Sequence, residues 1–318
     1  ISGYMVESLQ TKIPELQAGK IEFQKLKDAY PEIRRQIAEY SDMQDRLDPI
    51  AIYITDGVVS LENIVSQIED SKLIEEHLDS SFILHIPIIV SAEATLLIQK
   101  GETILMSATE GAFLSVMGQA VMDGATIIGW DIAQDTPAEF NQADIFRPYI
   151  VASCGSRLDI AETDFAHLGY DAKNASGLSY VSCKDKPDIP SAKGWIIGNG
   201  FEGLYAGFNA DNATEIVLIN NEFTNNIMQG ISINNSSHHI LAAQNKVSGT
   251  RVENGIIIAN KSSNNFILDN ILEGNAGSGV YVSNNSLGNL ITQNTLSNND
   301  EDGISFYESA DNISFQNL

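Results

Sequence analysis

Positive charge is what this chain most lacks. It carries 18 lysines and arginines against 42 aspartates and glutamates, a formal net charge of -24 over 318 residues. Nucleic acids and anionic membrane surfaces reward a basic partner, so neither is an expected ligand. Soluble proteins of salty habitats carry similar surfaces, so the acidity alone names no partner. No run of eighteen apolar residues occurs, which argues against an inserted membrane helix. No signal-peptide pattern opens the chain, and it begins at Ile1 rather than methionine, as expected of a mature or trimmed form. Cysteine is scarce as well: Cys154 in VASC and Cys183 in YVSC lie in similar contexts about one long coil apart. Two buried free thiols are the expectation there, with a disulfide the alternative in an oxidising compartment. Charged residues make up only 19% and hydrophobic ones 43%, enough for a large core and too apolar for wholesale disorder.

Helical periodicity is missing from Trp195 to Leu318, and a repeat stands in its place. Asparagine, any residue, bulky apolar recurs at Asn199, Asn221, Asn245, Asn270 and Asn294, with Asn317 followed directly by Leu318. The spacings are 22, 24, 25, 24 and 23 residues. A glycine and an apolar, any, apolar triplet follow the first five, as in Gly230-Ile231-Ser232-Ile233 and Gly255-Ile256-Ile257-Ile258. Two short alternating strands in so brief a period do not fit a propeller blade. They also lack a horseshoe's leucine signature, which leaves a parallel β-helix with one coil per repeat. Apolar positions should stack inward, coil on coil, and the intervening ones should face solvent. The asparagines are expected in tight turns, in left-handed conformation, laddering amide to amide.

The first fifty residues are different. Ile21, Phe23, Leu26 and Tyr30, then Ile33, Ile37 and Tyr40, predict two or three amphipathic helices punctuated by Pro14 and Pro31. AIYITDGVV predicts a strand, and SLENIVSQIED a short helix capped by Ser60 with Glu62 close behind. Residues 1–80 are therefore expected to cap the open end of the solenoid and 81–318 to form it. The loops Asp131 to Phe146 and Lys184 to Lys193 break the repeat and should project, as groove walls often do. The chain stops inside a coil at Leu318, so further coils are expected beyond it.

The outward residues of the glycine-led strands form a column: Asn209 and Asp211, Ser232 and Asn234, Ile257 and Ala259, Tyr281 and Ser283, Ser305 and Tyr307. Such a face can match the repeat of an extended polymer, and sugar rings stack on tyrosine. Outward side chains of any soluble β-helix are polar, so the column alone leaves ligand and solvent both open.

At this point the chain resembles the periplasmic mannuronan C5-epimerases of alginate-producing bacteria. The similarity runs nearly end to end, through SGYMVESLQTKI, AIYITDGVVS, IPIIVSAEATLLI, IFRPYIVA, LGYDAKNASGLS, GWIIGNGFEGLYAGF, NKVSGT, NGIII and DGISFYES. It implies a right-handed parallel β-helix in the periplasm or outside the cell, a polyuronate ligand such as alginate, and an export complex as a possible protein partner. No cofactor or metal is expected. Members carry Asp-Pro-His-Asp directly after the Gly-Ile that matches Gly230-Ile231, where this chain has Ser232-Ile233-Asn234-Asn235. The family's carboxylate-neutralising arginine falls on Asn260. Asparagine can donate a hydrogen bond but brings neither a base nor a positive charge. From Trp195 onward only Lys246, Arg251 and Lys261 are cationic, against twelve carboxylates. The expected substrate-binding residues are Asn209, Asp211, Ser232, Asn234, Asn260, Tyr281 and Tyr307. Tyr281 and His238 are the candidates for acid-base work; a stacking role for the tyrosine and a solvated turn for the histidine are the competing accounts. Asp302 and Glu308 fit an exposed acidic turn better than a cation site. An epimerase-like enzyme with replaced groups, a silent polysaccharide-binding or protective β-helix, and a purely structural or adhesive β-helix all follow from these residues.

Overall fold

The computed structural model describes residues 19–26, 37–68, 70–78, 80–153, 155–183 and 188–318. Its core is a stack of coils, each turning through three short strands that pair in parallel with the coils before and after. The front sheet contains Ile88–Val90, Leu114–Val116, Ile150–Ala152, Gly177–Val181, Ala206–Asp211, Ile231–Asn234, Ile256–Ile258, Val280–Ser283 and Ile304–Tyr307. A flank sheet runs from Ala94–Ile98 to Ile313–Phe315, and a rear sheet from Ser81–Leu84 to Thr295–Ser297. The strand Ile50–Ser60 joins front and flank sheets. Its Ile52–Ile54 pairs with Ile88–Val90 and its Gly57–Ser60 with Ala94–Leu97, the bend falling at Gly57 with φ 68°. The parallel ladder thus reaches back into the stretch expected as a cap.

Alternation drives the packing as the triplets predict. Ile231, Ile256 and Val280 stack in one file and Ile233, Ile258 and Val282 in the next, all fully buried. Phe306, expected inside with them, is 42% exposed; among the described residues Ile304–Tyr307 pairs only with Val280–Ser283. The glycines ahead of these strands permit close approach between coils. A Cβ on Gly230 would lie 2.2 Å from Val247 Cγ1.

The repeated asparagines form a buried ladder. Each backbone N–H from Asn199 to Asn294 donates to the Oδ1 of the next asparagine at 2.9 to 3.0 Å, and each Nδ2 donates to the same Oδ1. The remaining amide hydrogen reaches a carbonyl of the preceding coil, such as Ile196 O or Leu218 O. Buried amides must be satisfied, and here every coil satisfies the next. The left-handed conformation expected of these asparagines belongs to the residue before each one: Gly198, Asn220, Gln244, Asp269, Gln293 and Gln316. That residue makes the turn, leaving the ladder residue free to point inward.

At the N-terminal end, Lys20–Lys25 is a strand antiparallel to Ile50–Ser60, not the helix predicted from Ile21, Phe23 and Leu26. Ile21 and Phe23, two places apart, fit a strand equally well, and the edge of Ile50–Ser60 supplies main-chain partners. Ile37–Met43 is helical as expected and buries Tyr40, whereas Pro14, Tyr30, Pro31 and Ile33 lie outside the described residues. Ser60 caps Leu61–Gln67 as expected, with Asn63 as its reciprocal partner and Glu62 in the first turn. Leu61 and Ile64 are buried against the end of the core.

Two further expectations change. The loop after Asp131 does not simply project: Thr136–Pro137 pairs back onto Trp130–Asp131, and Phe146 to Tyr149 are buried. Residues 184–187 of the second loop lie outside the described residues. Cys183 is disulfide-bonded, against the expectation of free thiols; Cys154 lies outside the described residues. Disulfides persist in oxidising compartments.

Candidate functional site

One outward file of the front sheet runs in register through Tyr53, Ile89, Ser115, Val151, Ser179, Asn209, Ser232, Ile257, Tyr281 and Ser305. Its first five members are buried. A second apolar cluster covers them, built from Tyr40 of the N-terminal helix together with Phe113, Phe146, Tyr149 and Tyr170. Phe113 and Tyr149 stack with centroids 4.8 Å apart, and the hydroxyls of Tyr40 and Tyr149 share a hydrogen bond of 3.0 Å. From Asn209 onward the cover ends. Asn209, Ile257, Tyr281 and Ser305 are half-buried, and Ser232 remains buried in the floor.

Within the open part, Asn209 Nδ2 donates to Ser179 Oγ at 3.5 Å, and Asn234 Nδ2 to Ser232 Oγ at 2.5 Å. Asp211 pairs in register with Asn234, and its Oδ1 is buried without a hydrogen-bond partner. Tyr281 has Ile257 and Ser305 as in-register neighbours. Tyr307 is 54% exposed.

At the C-terminal edge of these strands the chain turns toward the flank sheet through left-handed residues: Asn212, Asn235, Ser236, Asn260, Lys261, Asn284 and Asn285. Asparagine tolerates this conformation better than most side chains. Together with Asp211 they line an open cleft of about 650 Å³. Asn284 Nδ2 donates to Asn260 Oδ1 at 3.1 Å, and Asn212 Nδ2 to Ser182 Oγ at 2.7 Å. Lys261 enters the cleft one residue past Asn260. Sequence reasoning counted it only among the surviving cations; its position after Asn260 was the available signal.

The opposite edge is held by Arg147. Its Nε donates to His167 O at 3.0 Å and its Nη2 to Gly203 O at 2.7 Å, tying the covering loop to the coils. Burial, with Arg251 nearby, pushes its pKa down to about 10. Burial and Arg147 likewise lower that of His167. Phe140 lies under the Arg147 guanidinium and against Tyr205. Burial and the neighbouring Asp171 raise the Tyr205 hydroxyl to about 12, so it is a proton donor at neutral pH.

His238 stands apart from the front face. It sits beyond the corner on a bridge ladder from Thr214 to Ser263, bonded through Nδ1 to Thr214 Oγ1 at 3.2 Å and to His239 Nδ1 at 3.0 Å. The structure therefore groups Asn209, Asp211, Ser232, Asn234, Asn260, Tyr281 and Tyr307 along one face and its edge, without His238. Among the described residues no three His, Cys, Asp or Glu side chains converge as metal ligands, and no helix is long and apolar enough to cross a membrane.

Comparison with known proteins adds to this geometry. A family model described as a right handed beta helix region matches residues 188–318. The mannuronan C5-epimerase of Pseudomonas aeruginosa is 35% identical over 100% of this chain and 60% of its own length. The corresponding protein of Azotobacter vinelandii is 32% identical over 100% and 62%. The chain thus spans about three fifths of the length of these relatives. A crystal structure of the periplasmic alginate epimerase AlgG superposes with a TM-score of 0.92, at 28% identity, over 99% of this chain and 76% of that one. Along its whole length, and in its right-handed parallel β-helix, the chain is similar to the mannuronan C5-epimerases.

Proposed function

We propose that this protein binds a polyuronate such as alginate along the uncovered half of the front sheet, in the periplasm, and performs little or no C5-epimerisation by the family's acid-base route. The observation that carries this reading is the change at Asn209, where a file covered by an apolar cluster becomes an open one of an amide, hydroxyls, Ile257 and a tyrosine. Neighbouring strands repeat at about 4.8 Å, so a polymer lying along the axis meets the same outward position at every coil. Tyr281 and Tyr307 offer faces for sugar rings, and the amides offer donors and acceptors for hydroxyls. The names of the relatives, which act on mannuronan and alginate, support this ligand class.

Epimerisation at C5 requires three things: a neutralised carboxylate to make the neighbouring proton acidic, a base on one face of the sugar and an acid on the other. At the places the family resemblance assigns to these roles stand Ser232, Asn234, Asn235 and Asn260, none of which titrates. General acid-base help is worth roughly a hundred to ten thousand fold, so losing the base together with the neutralising cation takes the rate below ready detection. A second reading, catalysis by replaced groups, is favoured by Asp211: it places a carboxylate in register beside Asn234, with one oxygen unengaged. Proton NMR of poly-mannuronate in heavy water separates the two. The expected result is no deuterium at C5 and no guluronate signal. Uptake at an enzymatic rate overturns the silent reading, and its loss in Asp211→Asn would assign the base.

A further inference from the structure

We infer that the corner cleft is a carboxylate-recognition subsite, in which Lys261 takes the charge-pairing role that Asn260 cannot. The inference rests on the polyuronate reading and deepens it. Of the three cations from Trp195 onward, Lys246 is engaged by Glu222 on the rear sheet at 2.9 Å, and Arg251 stands on the opposite edge near Arg147. Lys261 alone lines the cleft, exposed and, among the described residues, in no ion pair or side-chain hydrogen bond. Its ammonium is therefore available to a ligand without first breaking an internal contact. The side chains of Asn235 and Asn285 are equally unengaged among the described residues, while Asn260 Oδ1 is occupied by Asn284.

The cleft is polar in a directional way. Asp211, its only carboxylate, lies two coils before Lys261, roughly 10 Å at the usual strand spacing. The half-buried Asp211 carboxylate accepts from a sugar hydroxyl and repels a carboxylate; Lys261 does the reverse. A neutral glycan satisfies only one end. A uronate polymer satisfies both when its carboxylate lies at Lys261 and a hydroxyl at Asp211, which fixes the direction in which it lies. The chain's net charge of -24 opposes a polyanion at long range, but screening beyond about 8 Å at physiological salt leaves the local pair to decide recognition.

The test compares a short mannuronate oligomer with the same oligomer after reduction of its carboxyl groups, by titration calorimetry at low salt. Wild type is expected to bind the uronate about fivefold more tightly than the reduced form, the upper end for an exposed ion pair, with the preference shrinking as salt is added. Lys261→Asn, which suits the left-handed backbone at this position (φ 66°), is expected to lose that preference and Lys261→Arg to keep it. Lys246→Asn removes the same charge from the rear sheet and is expected to keep it too. If Lys261→Asn retains the preference with wild-type melting, or Lys246→Asn loses it equally, the Lys261 subsite is overturned while polyuronate binding stands. If wild type binds neither oligomer, or both alike, the polyuronate reading itself fails.

Discussion

The front sheet has one register and two fates. Up to Ser179 its outward file is Tyr53, Ile89, Ser115 and Val151, sealed under Tyr40, Phe113, Phe146 and Tyr149; from Asn209 the same file is open and mostly polar. The backbone does not distinguish these halves. What differs is whether another part of the chain can bury apolar surface on top, and an aromatic lid gains about 25 cal/mol for each Å² it removes from water. The covered half is thereby buried, and the uncovered half stays accessible. Arg147 marks the boundary, since it fastens the lid to the carbonyls of His167 and Gly203 beside the first open coil.

The comparison can be broken most severely from below. Ile256→Asp places a charge in a fully buried file under the open half and should cost more than about 4 kcal/mol, unfolding several coils. A thermal melt unchanged from wild type would refute the inward register. Removing the lid comes next: Phe113→Ala deletes a buried ring stacked on Tyr149 and should cost about 3 to 5 kcal/mol in denaturant titrations, with the C-terminal coils less affected because solenoid coils depend chiefly on their neighbours. The open half should respond in the opposite sense. Tyr281→Ala and Tyr307→Ala should each weaken oligomer binding by about 1 to 3 kcal/mol, by analogy with base stacking, while leaving melting nearly unchanged. Equal affinity in both variants would move the ligand off this face.

The smallest effect is a pH dependence confined to the N-terminal end. Burial opposes the charging of His85, but Glu110 at 2.5 Å and Glu75 at 3.8 Å outweigh it and hold its pKa above the ordinary value. A histidine raised on folding contributes stability that is complete below its unfolded value, about 6.5, and is lost as pH rises through the folded value. Glu110, held low first by that hydrogen bond, contributes above its own unfolded value and loses this as pH falls. Stability from the pair should therefore decline as pH rises above about 6.5. Glu110→Gln should flatten that decline in melts taken across the range.

The amino-acid sequence by itself determined the coil. Strict alternation in triplets such as Ile231-Ser232-Ile233, and asparagines every 22 to 25 residues, leave no other way to bury the apolar side chains and satisfy the amides. It determined that Asn209, Ile257, Tyr281 and Ser305 point away from the core as well, because period two alone assigns them there, though not that this half of the file stays uncovered. Tertiary structure decided the rest. Lys20–Lys25 became a strand because a distant edge needed a partner, and Tyr149 became part of a lid because Tyr40, over a hundred residues away, meets it. Lys261 and Asp211 came to share a cleft only because three successive coils stack in parallel, with a left-handed turn at the same place in each. Local periodicity fixes which way a side chain points, but which residues it faces depends on contacts between segments far apart in the chain, and no short window of sequence contains those.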